Sequence, residues 1–530
     1  MIFIVTSLAK MQAIITKLEQ KVLSLEDKYQ KQKTRADLAE LQLKQYKKNV
    51  EQQIEKAVTK AVKEVTDKYE AIIKEKDQRI FELETRLNIN SNNSSLPSSQ
   101  TPIYQSKICN SRKPSGEKPG RKLKHPKDSL PPFEEEEITE KVNHKASKCP
   151  KCNGTNLEIL EIKTRDETDI KITLIKRRHY FYDCQCKNCG AKIKSEIPSE
   201  LHGENQYGSE MKTLALILNN YGFVAYNRIR KIITGLSNDE LSPSEGYLTK
   251  LQKKASSKLT DFVFDVKEKI LKSKQNYWDD TVVKIGEKDK ACMRVYTNEK
   301  EVLYKAHMAK DTDGMDEDGI LNNLPEDCVV MHDHLLHNYC DDYKYQNIEC
   351  NAHITRKLEG ITQNAKHNWS DEMKKLLEST LEKRKQYISD KTKPNNFSQE
   401  EISEFDKKYD EILEKGFKEY IEFKHKYEFE KEENLLEFMR DYKGPITAWV
   451  RDFSLPYSNN LCETLLRMMK AKMKISYSFK SLVYAEYFAN IRTYTETCSR
   501  YGVNPYNAIR KLFENKPYSL SELLKLNNNQ

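Results

Sequence analysis

The first ninety residues contain no Gly or Pro and are rich in Lys, Glu, Gln, Ala and Leu. Leu8, Met11, Ile15, Leu18, Val22, Leu25 and Tyr29 step by three and four without a miss, so they form one stripe along a helix. After a less regular middle, Tyr69, Ile73, Ile80, Leu83 and Leu87 resume the step, with Lys76 at one seam position. A long helix with a narrow apolar seam reads as a leucine-zipper-like coiled coil over 1–90 and predicts a homo-oligomer. A long amphipathic helix packed on its own protein would share the periodicity, but no globular sequence adjoins the segment.

The composition changes abruptly after residue 90. Asn, Ser, Pro and Gly crowd 90–132, a mixture that cannot bury enough apolar surface to offset the entropy of ordering, so 91–140 reads as a flexible linker. Residues 101–130 hold eight Lys/Arg and two acids, a net +6 suited to lying along phosphates. The whole chain of 530 residues carries only +9, so the positive charge is concentrated, and a nucleic-acid partner is permitted rather than demanded. Glu134 to Glu137 follow as an acidic, solvated run. No stretch of about 18 apolar residues exists, which excludes a transmembrane helix. The opening Met1-Ile2-Phe3-Ile4-Val5 is too short for a signal sequence and has no basic residue before it, so a cytoplasmic protein is expected.

Twelve cysteines in such a chain are not a disulfide scaffold. Four fall in two CxxC turns, Cys149-Pro150-Lys151-Cys152 and Cys186-Lys187-Asn188-Cys189, with Gly154 and Gly190 just behind. Such a turn points two thiolates at one ion, and two turns complete tetrahedral coordination of one structural Zn2+. The 33 intervening residues suffice for the hairpin of a zinc ribbon over 141–200. Cys184 is a spare ligand. The redox reading of CxxC lacks a βαβ context. Cys109, Cys292, Cys328, Cys340, Cys350, Cys462 and Cys498 are scattered and are expected to pack as small apolar residues.

Residues 201–275 form a compact helical stretch with amphipathic segments at about 209–220 and 226–235, a helix-turn-helix-like DNA-binding arrangement. Ser242-Pro243-Ser244-Glu245 reads as a helix start capped by Ser242. From 277 the pattern switches to short β-runs: Trp278–Ile285, Cys292–Tyr296 and Val302–Met308, then, after a short helical stretch, Cys328–Met331 and Ile348–Cys350. The fold class is therefore multidomain α plus α/β, with a mixed sheet in 276–500, charged helices inserted at about 364–442, and a helical tail at 501–530.

Acids stand at three places where a cation can sit. Asp279 and Asp280 open the first β-run, Asp333 ends the apolar run Val329-Val330-Met331-His332, and Glu463 lies on a helix starting near Asn459-Asn460. Two strand acids and one helix acid, facing each other, can hold a pair of Mg2+ (or Mn2+) ions for phosphoryl transfer. Neighbouring strand residues point to opposite faces, so only one of Asp279 and Asp280 belongs to the set. Glu463, Arg467, Lys470 and Lys474 are spaced four, three and four, one helix face on which a carboxylate is followed by cations. Residues 463–480 carry five Lys/Arg and one acid, so this is not an ordinary salt-bridged face. His353 and Arg356 lie just past a strand, placed to orient a carboxylate or contact a phosphate.

These residues resemble the bacterial transposases of the insertion sequence 66 family, over nearly the whole chain. The resemblance runs from the zipper-like helix through Gly116-Glu117-Lys118-Pro119-Gly120 and the CxxC turns to Asp279-Asp280-Thr281, His332-Asp333-His334 and Cys350-Asn351-Ala352-His353. Its most specific block is Leu455-Pro456-Tyr457-Ser458-Asn459-Asn460-Leu461-Cys462-Glu463, with Arg467, Met468, Lys470, Lys474 and then Phe488–Tyr494. The resemblance implies a ribonuclease H-like, retroviral-integrase-like catalytic domain whose DDE triad falls on Asp279, Asp333 and Glu463. It implies an enzyme that binds double-stranded DNA at the ends of an insertion sequence, cleaves there and joins the 3′-hydroxyl to target DNA. It further implies a location at the nucleoid, and accessory proteins from the same element. Members often carry Asp-Glu-Thr at the first acid, which leaves Asp280 as a rival to Asp279. They usually carry Tyr five residues after the second acid, where this chain has Tyr339 six after Asp333. The other reading is a non-catalytic zinc-containing DNA-binding protein, a regulator or decayed transposase, and it leaves the acids and their basic helix face without a role.

Overall fold

The computed structural model describes residues 2–90, 93–94, 133–198, 201, 203–287, 289–424 and 429–528. The basic segment 101–130 and Cys109 lie outside the described residues. The chain divides into two compact units, one of residues 1–89, 361–369 and 414–436, the other of 90–360, 370–413 and 437–530.

The first unit is built on α1 (Ile2–Asn88), a single helix of 87 residues. Its seam residues Leu8 to Tyr29 stand 43 to 64% exposed. The other end is packed by residues distant in sequence. Phe81 is buried and meets Phe429 edge to face with ring centres 5.2 Å apart, and Asn88 donates its amide to Asn364 Oδ1 at 3.2 Å. Beneath them, Trp369 Nε1 donates to Glu432 Oε1 at 2.6 Å, and His367 Nδ1 lies 2.6 Å from the same oxygen. Gly416 makes this possible, because a Cβ there would come within 2.8 Å of the Trp369 ring and 2.7 Å of Leu436. Globular sequence therefore does adjoin the C-terminal end of the long helix, contrary to the sequence expectation. It comes from elsewhere in the chain, where helical periodicity gives no sign of it.

The second unit begins with a small antiparallel pair, β1 (Cys184–Gln185) and β2 (Lys192–Ile193), around the second CxxC turn. Four helices follow: α2 (Ser209–Asn220), α3 (Tyr226–Leu236), α4 (Glu245–Ser256) and α5 (Thr260–Leu271). The cap of α4 is Ser244, two residues later than expected; its hydroxyl accepts from Tyr247 N at 3.2 Å, while the Ser242 hydroxyl accepts from Arg230 Nε. Next come β3 (Gln275–Ile285), β4 (Asp289–Thr297), β5 (Val302–His307), α6 (Thr312–Asp318), β6 (Val329–His332) and β7 (Gln346–Glu349). The rest is helical: α7 (Asn351–Asn364), α8 (Asn368–Ser389), α9 (Gln399–Lys424), α10 (Glu430–Asp441), α11 (Lys443–Arg451), α12 (Asn460–Ser476), α13 (Leu482–Arg500), α14 (Pro505–Phe513) and α15 (Leu520–Asn528).

The strands form one mixed sheet in the order β5-β4-β3-β6-β7. β3, β4 and β5 are antiparallel; β6 lies parallel to β3, and β7 parallel to β6. Parallel neighbours need a crossover, and residues 333–345 supply it with a 3-10 turn at Leu336–Tyr339 in place of an α-helix. Strand alternation splits the sheet into two buried faces. Trp278, Tyr296, Leu303 and Val330 join a core with Leu216, Ile229, Leu251, Val266, Tyr494 and Ile509. Tyr277, Val283, Val295, Met331 and Ile348 join a second core with Cys462, Leu465, Leu466 and Met469 of α12. Helices from 201–275 and from the C-terminal tail thus share one hydrophobic core with the sheet, although the sequence sets them apart as separate regions. The buried cysteines Cys328, Cys350, Cys462 and Cys498 lie among these apolar layers, Cys292 on β4 is buried as well, and Cys340 is half-buried.

Candidate metal centre

The pleat decides where the tandem acids go. Asp279, two residues beyond Tyr277, shares the sheet face that α12 covers, and Asp280 takes the opposite face, where Lys310 Nζ sits 2.9 Å from its carboxylate. Asp333 stands at the end of β6, two residues beyond Met331, so it too falls on the α12 side. The start of α12 is pinned across these strand ends. Asn459 is fully buried; its side-chain amide donates to Trp278 O at 2.8 Å and its backbone N–H to Cys350 Sγ at 3.2 Å. Four residues on, Glu463 in the first turn of α12 is held over the same ground, its N–H bonded back to Asn459 O at 3.1 Å.

His353, on the first turn of α7, lies between the acids. Its Nδ1 is 2.6 Å from Asp333 Oδ1 and its Nε2 is 3.9 Å from Glu463 Oε1. Asp279 Oδ1 accepts from the N–H of Asp280 at 2.7 Å. Burial, and next the Asp333 carboxylate, push Asp279 up to about 8, against the opposing pull of the Asp280 N–H and of His353. Two acids that disturb each other this way favour a cation between them.

That shift has a sign that can be measured. The folded chain holds a proton on Asp279 that the unfolded chain releases above pH ~4, so stability falls as pH rises from there to about 8. In the presence of a chelator, Asp279→Asn should melt higher than the wild type at pH 8, by on the order of 2 kcal/mol, and the two should converge near pH 4. Equal melting at pH 8 would mean that the carboxylates are not crowded.

The basic residues divide into two sets. Arg356 is engaged: it donates to Glu463 Oε1 at 3.1 Å and to Ala352 O at 3.1 Å. Arg467 reaches Glu463 Oε2 at 3.3 Å from a largely exposed position, and Lys470 and Lys474 continue the exposed face of α12. Lys472 departs from that face. It is buried, its ammonium lies 5.5 Å from the Phe488 ring centre, and burial lowers it to about 8.

Sequence reasoning assigned Cys350 only a packing role. Its Sγ, an Asp333 oxygen and a His353 nitrogen all lie within 4.8 Å of one another. The Cys-x-x-His spacing across the end of β7 and the start of α7 was the available signal. Tyr339, six residues after Asp333, turns inward from its 3-10 turn: its hydroxyl donates to the fully buried Glu349 at 2.6 Å, with His334 Nδ1 3.2 Å from the same oxygen.

The two CxxC turns are built alike. Cys149 N donates to Gly154 O and Asn153 N to Cys149 O, both at 2.9 Å; Cys186 N donates to Ala191 O and Gly190 N to Cys186 O, both at 2.8 Å. Asn153 and Gly190 both take positive φ, 59° and 77°, the conformation glycine enters most cheaply. Backbone N–H groups of Cys152 and Lys151 hold the Cys149 thiol below its ordinary range, and those of Cys189 and Asn188 do the same for Cys186. These are thiolate-favouring turns, a donor chemistry that fits zinc. The four thiols are not gathered at one point, since among the described residues Asp333, Cys350 and His353 are the one cluster of three or more such ligands. No hairpin spans the two turns. Leu157, Ile159, Ile162, Ile170 and Ile172 between them are exposed, so that segment has no core to hold strands together.

Among the described residues, no helix is long and apolar enough to cross a membrane. One acid inside β3 and another just past the end of β6, covered by a helix that adds a third, make a candidate cation site. The family model described as Transposase IS66 family matches residues 204–487, which include all three acids, His353 and the α12 cations. The chain belongs to that transposase family. No curated protein matches it, and no solved structure does.

Proposed function

We propose that the chain is a DDE-type transposase that binds the ends of an insertion sequence, cleaves them by metal-dependent hydrolysis and joins the 3′-hydroxyl to target DNA. The observation that carries this reading is that Asp333 and Glu463 lie 2.6 and 3.9 Å from the two ring nitrogens of His353, with Asp279 on the same sheet face and disturbed by Asp333. The strand order, with three antiparallel strands followed by two parallel ones on the far side of the first, supports a ribonuclease H-like domain.

Asp279, Asp333 and Glu463 are the residues that would hold two Mg2+ or Mn2+ ions. Bound there, the ions would activate a water or 3′-hydroxyl and stabilise the leaving oxygen. His353 stands between Asp333 and Glu463. Arg356 holds one oxygen of Glu463, so that the carboxylate turns inward instead of swinging into solvent. Arg467, Lys470 and Lys474 offer a row of positive charge along which the DNA backbone can run toward the acids. The test is a labelled end duplex with Mg2+: nicking followed by joining supports the reading, whereas binding to ends with no nicking under Mg2+ or Mn2+ sinks it in favour of a non-catalytic binder. Lys470→Ala and Lys474→Ala should each weaken binding evenly across sequences and reduce the salt slope by about one.

The CxxC turns are proposed to share one structural Zn2+ through Cys149, Cys152, Cys186 and Cys189. A fall of one zinc per chain in Cys149→Ser with Cys186→Ser, relative to the wild type, is the check. The exposed seam of α1 is proposed as a homo-oligomer contact. In sedimentation, Leu18→Glu with Leu25→Glu should convert the assembly to monomers, since both charges would be buried in the seam.

A further inference from the structure

The acid site contains one ligand that Mg2+ chemistry does not use. Cys350 is 1% exposed, at the junction of β7 and α7, and its Sγ receives the N–H of Asn459. That bond fixes the position of the sulfur, while burial, and next the Asp333 carboxylate, push the thiol up, so that without a cation Cys350 is a neutral thiol. Within 4.8 Å are Asp333 and His353, whose Oδ1 and Nδ1 approach to 2.6 Å. Both of those atoms are buried, and neither has a properly angled hydrogen-bond partner. Two electron-rich atoms held this close, without a shared hydrogen bond, converge on a point a cation can occupy.

Sulfur, imidazole nitrogen and carboxylate oxygen together select a borderline-soft ion; hard Mg2+ prefers oxygen alone. We propose that Asp333, Cys350 and His353 form a site for a thiophilic divalent cation of the Zn2+ class, and that its occupation blocks DNA cleavage by taking Asp333 away from the Mg2+ set. Binding forms a metal–sulfur bond at Cys350, and the thiol proton leaves to solvent. The inhibitory consequence rests on the transposase reading; the binding itself does not.

Two measurements separate these claims. The first uses Co2+ as a spectroscopic probe on the full chain with Cys149, Cys152, Cys186 and Cys189 all changed to Ser, which removes the other sulfur ligands of the CxxC turns. A sulfur-to-cobalt charge-transfer band is expected, and it should vanish on adding Cys350→Ala. No band, or a band that survives Cys350→Ala, overturns the site; circular dichroism confirms that each variant is folded. The second measures Mg2+-dependent end cleavage under rising Zn2+. Measured against its own zinc-free rate, Cys350→Ala should tolerate roughly tenfold more zinc than the wild type does. Equal zinc sensitivity overturns the inhibitory role. A wild type that shows the cobalt band but never cleaves leaves the ion site standing and removes the transposase reading instead.

Discussion

Glu463→Gln is expected to lose about 10^3-fold in Mg2+-dependent strand cleavage while holding end-DNA binding within a few-fold. The substitution keeps the shape of the side chain, and the amide oxygen can still accept from Arg356, while the exposed Arg467, which bonds the other oxygen, turns to water. What goes is the negative charge that would draw a divalent cation. Asp333→Asn should behave alike, because Asp333 sits at the strand end where it raises the proton affinity of Asp279. DNA binding has a different source, the exposed Lys470 and Lys474 with Arg467, and gains slightly from one fewer acid. Folding should change by only about 1 kcal/mol, since Glu463, although largely buried, pairs with an exposed Arg467 that can turn to water. Cleavage by Glu463→Gln within tenfold of wild type would remove Glu463 from the catalytic set.

The acids could be read as a candidate set because local patterning marks Asp333 at the end of an apolar run and Glu463 in the first turn of a helix; Asp279, expected at the opening of a β-run, lies inside β3, which begins at Gln275. Choosing Asp279 over Asp280 needed the register of β3 against β4 and the knowledge that α12 covers the Tyr277 face. Strand alternation says that the two differ; only tertiary packing says which faces the site. The strands near 278–308 and at 328–350 were readable from alternation, whereas the 333–345 crossover lacks the helix that parallel strands usually bring. The cap of α4 slipped by two residues because both Ser242 and Ser244 offer a hydroxyl, and the competitor Arg230 that takes Ser242 comes from another helix. His353 was legible as a site residue, but its place between two acids was not. Neither was the part of Cys350, because a thiol looks the same in sequence whether it packs or ligates. The CxxC spacing announced the turns correctly, yet spacing within each turn says nothing of the distance between them.

The second large effect concerns the opposite face of the sheet. Asp318→Ala is expected to cost about 3–5 kcal/mol of stability. Arg294, on β4 beside Asp280, is fully buried; its guanidinium donates to Asp318 Oδ2 at 3.0 Å, Gly314 O at 2.8 Å and Ala309 O at 2.7 Å. Tyr296 OH donates to the same Asp318 oxygen at 2.8 Å. Removing the carboxylate leaves a cation and a hydroxyl buried without their acceptor, and the cost comes from that unmet desolvation more than from lost attraction. Replacing both partners separates the two contributions. Arg294→Met with Asp318→Leu should lie within about 1 kcal/mol of the wild type or above it, because a buried ion pair roughly breaks even against apolar groups of similar size. Denaturant midpoints of the single and double variants measure the difference. Cleavage well below the melting point should survive in Asp318→Ala, since the pair lies across the sheet from Asp279. A single variant that stays fully stable would mean that water reaches Arg294, and that β4 and α6 are joined by their apolar contacts alone.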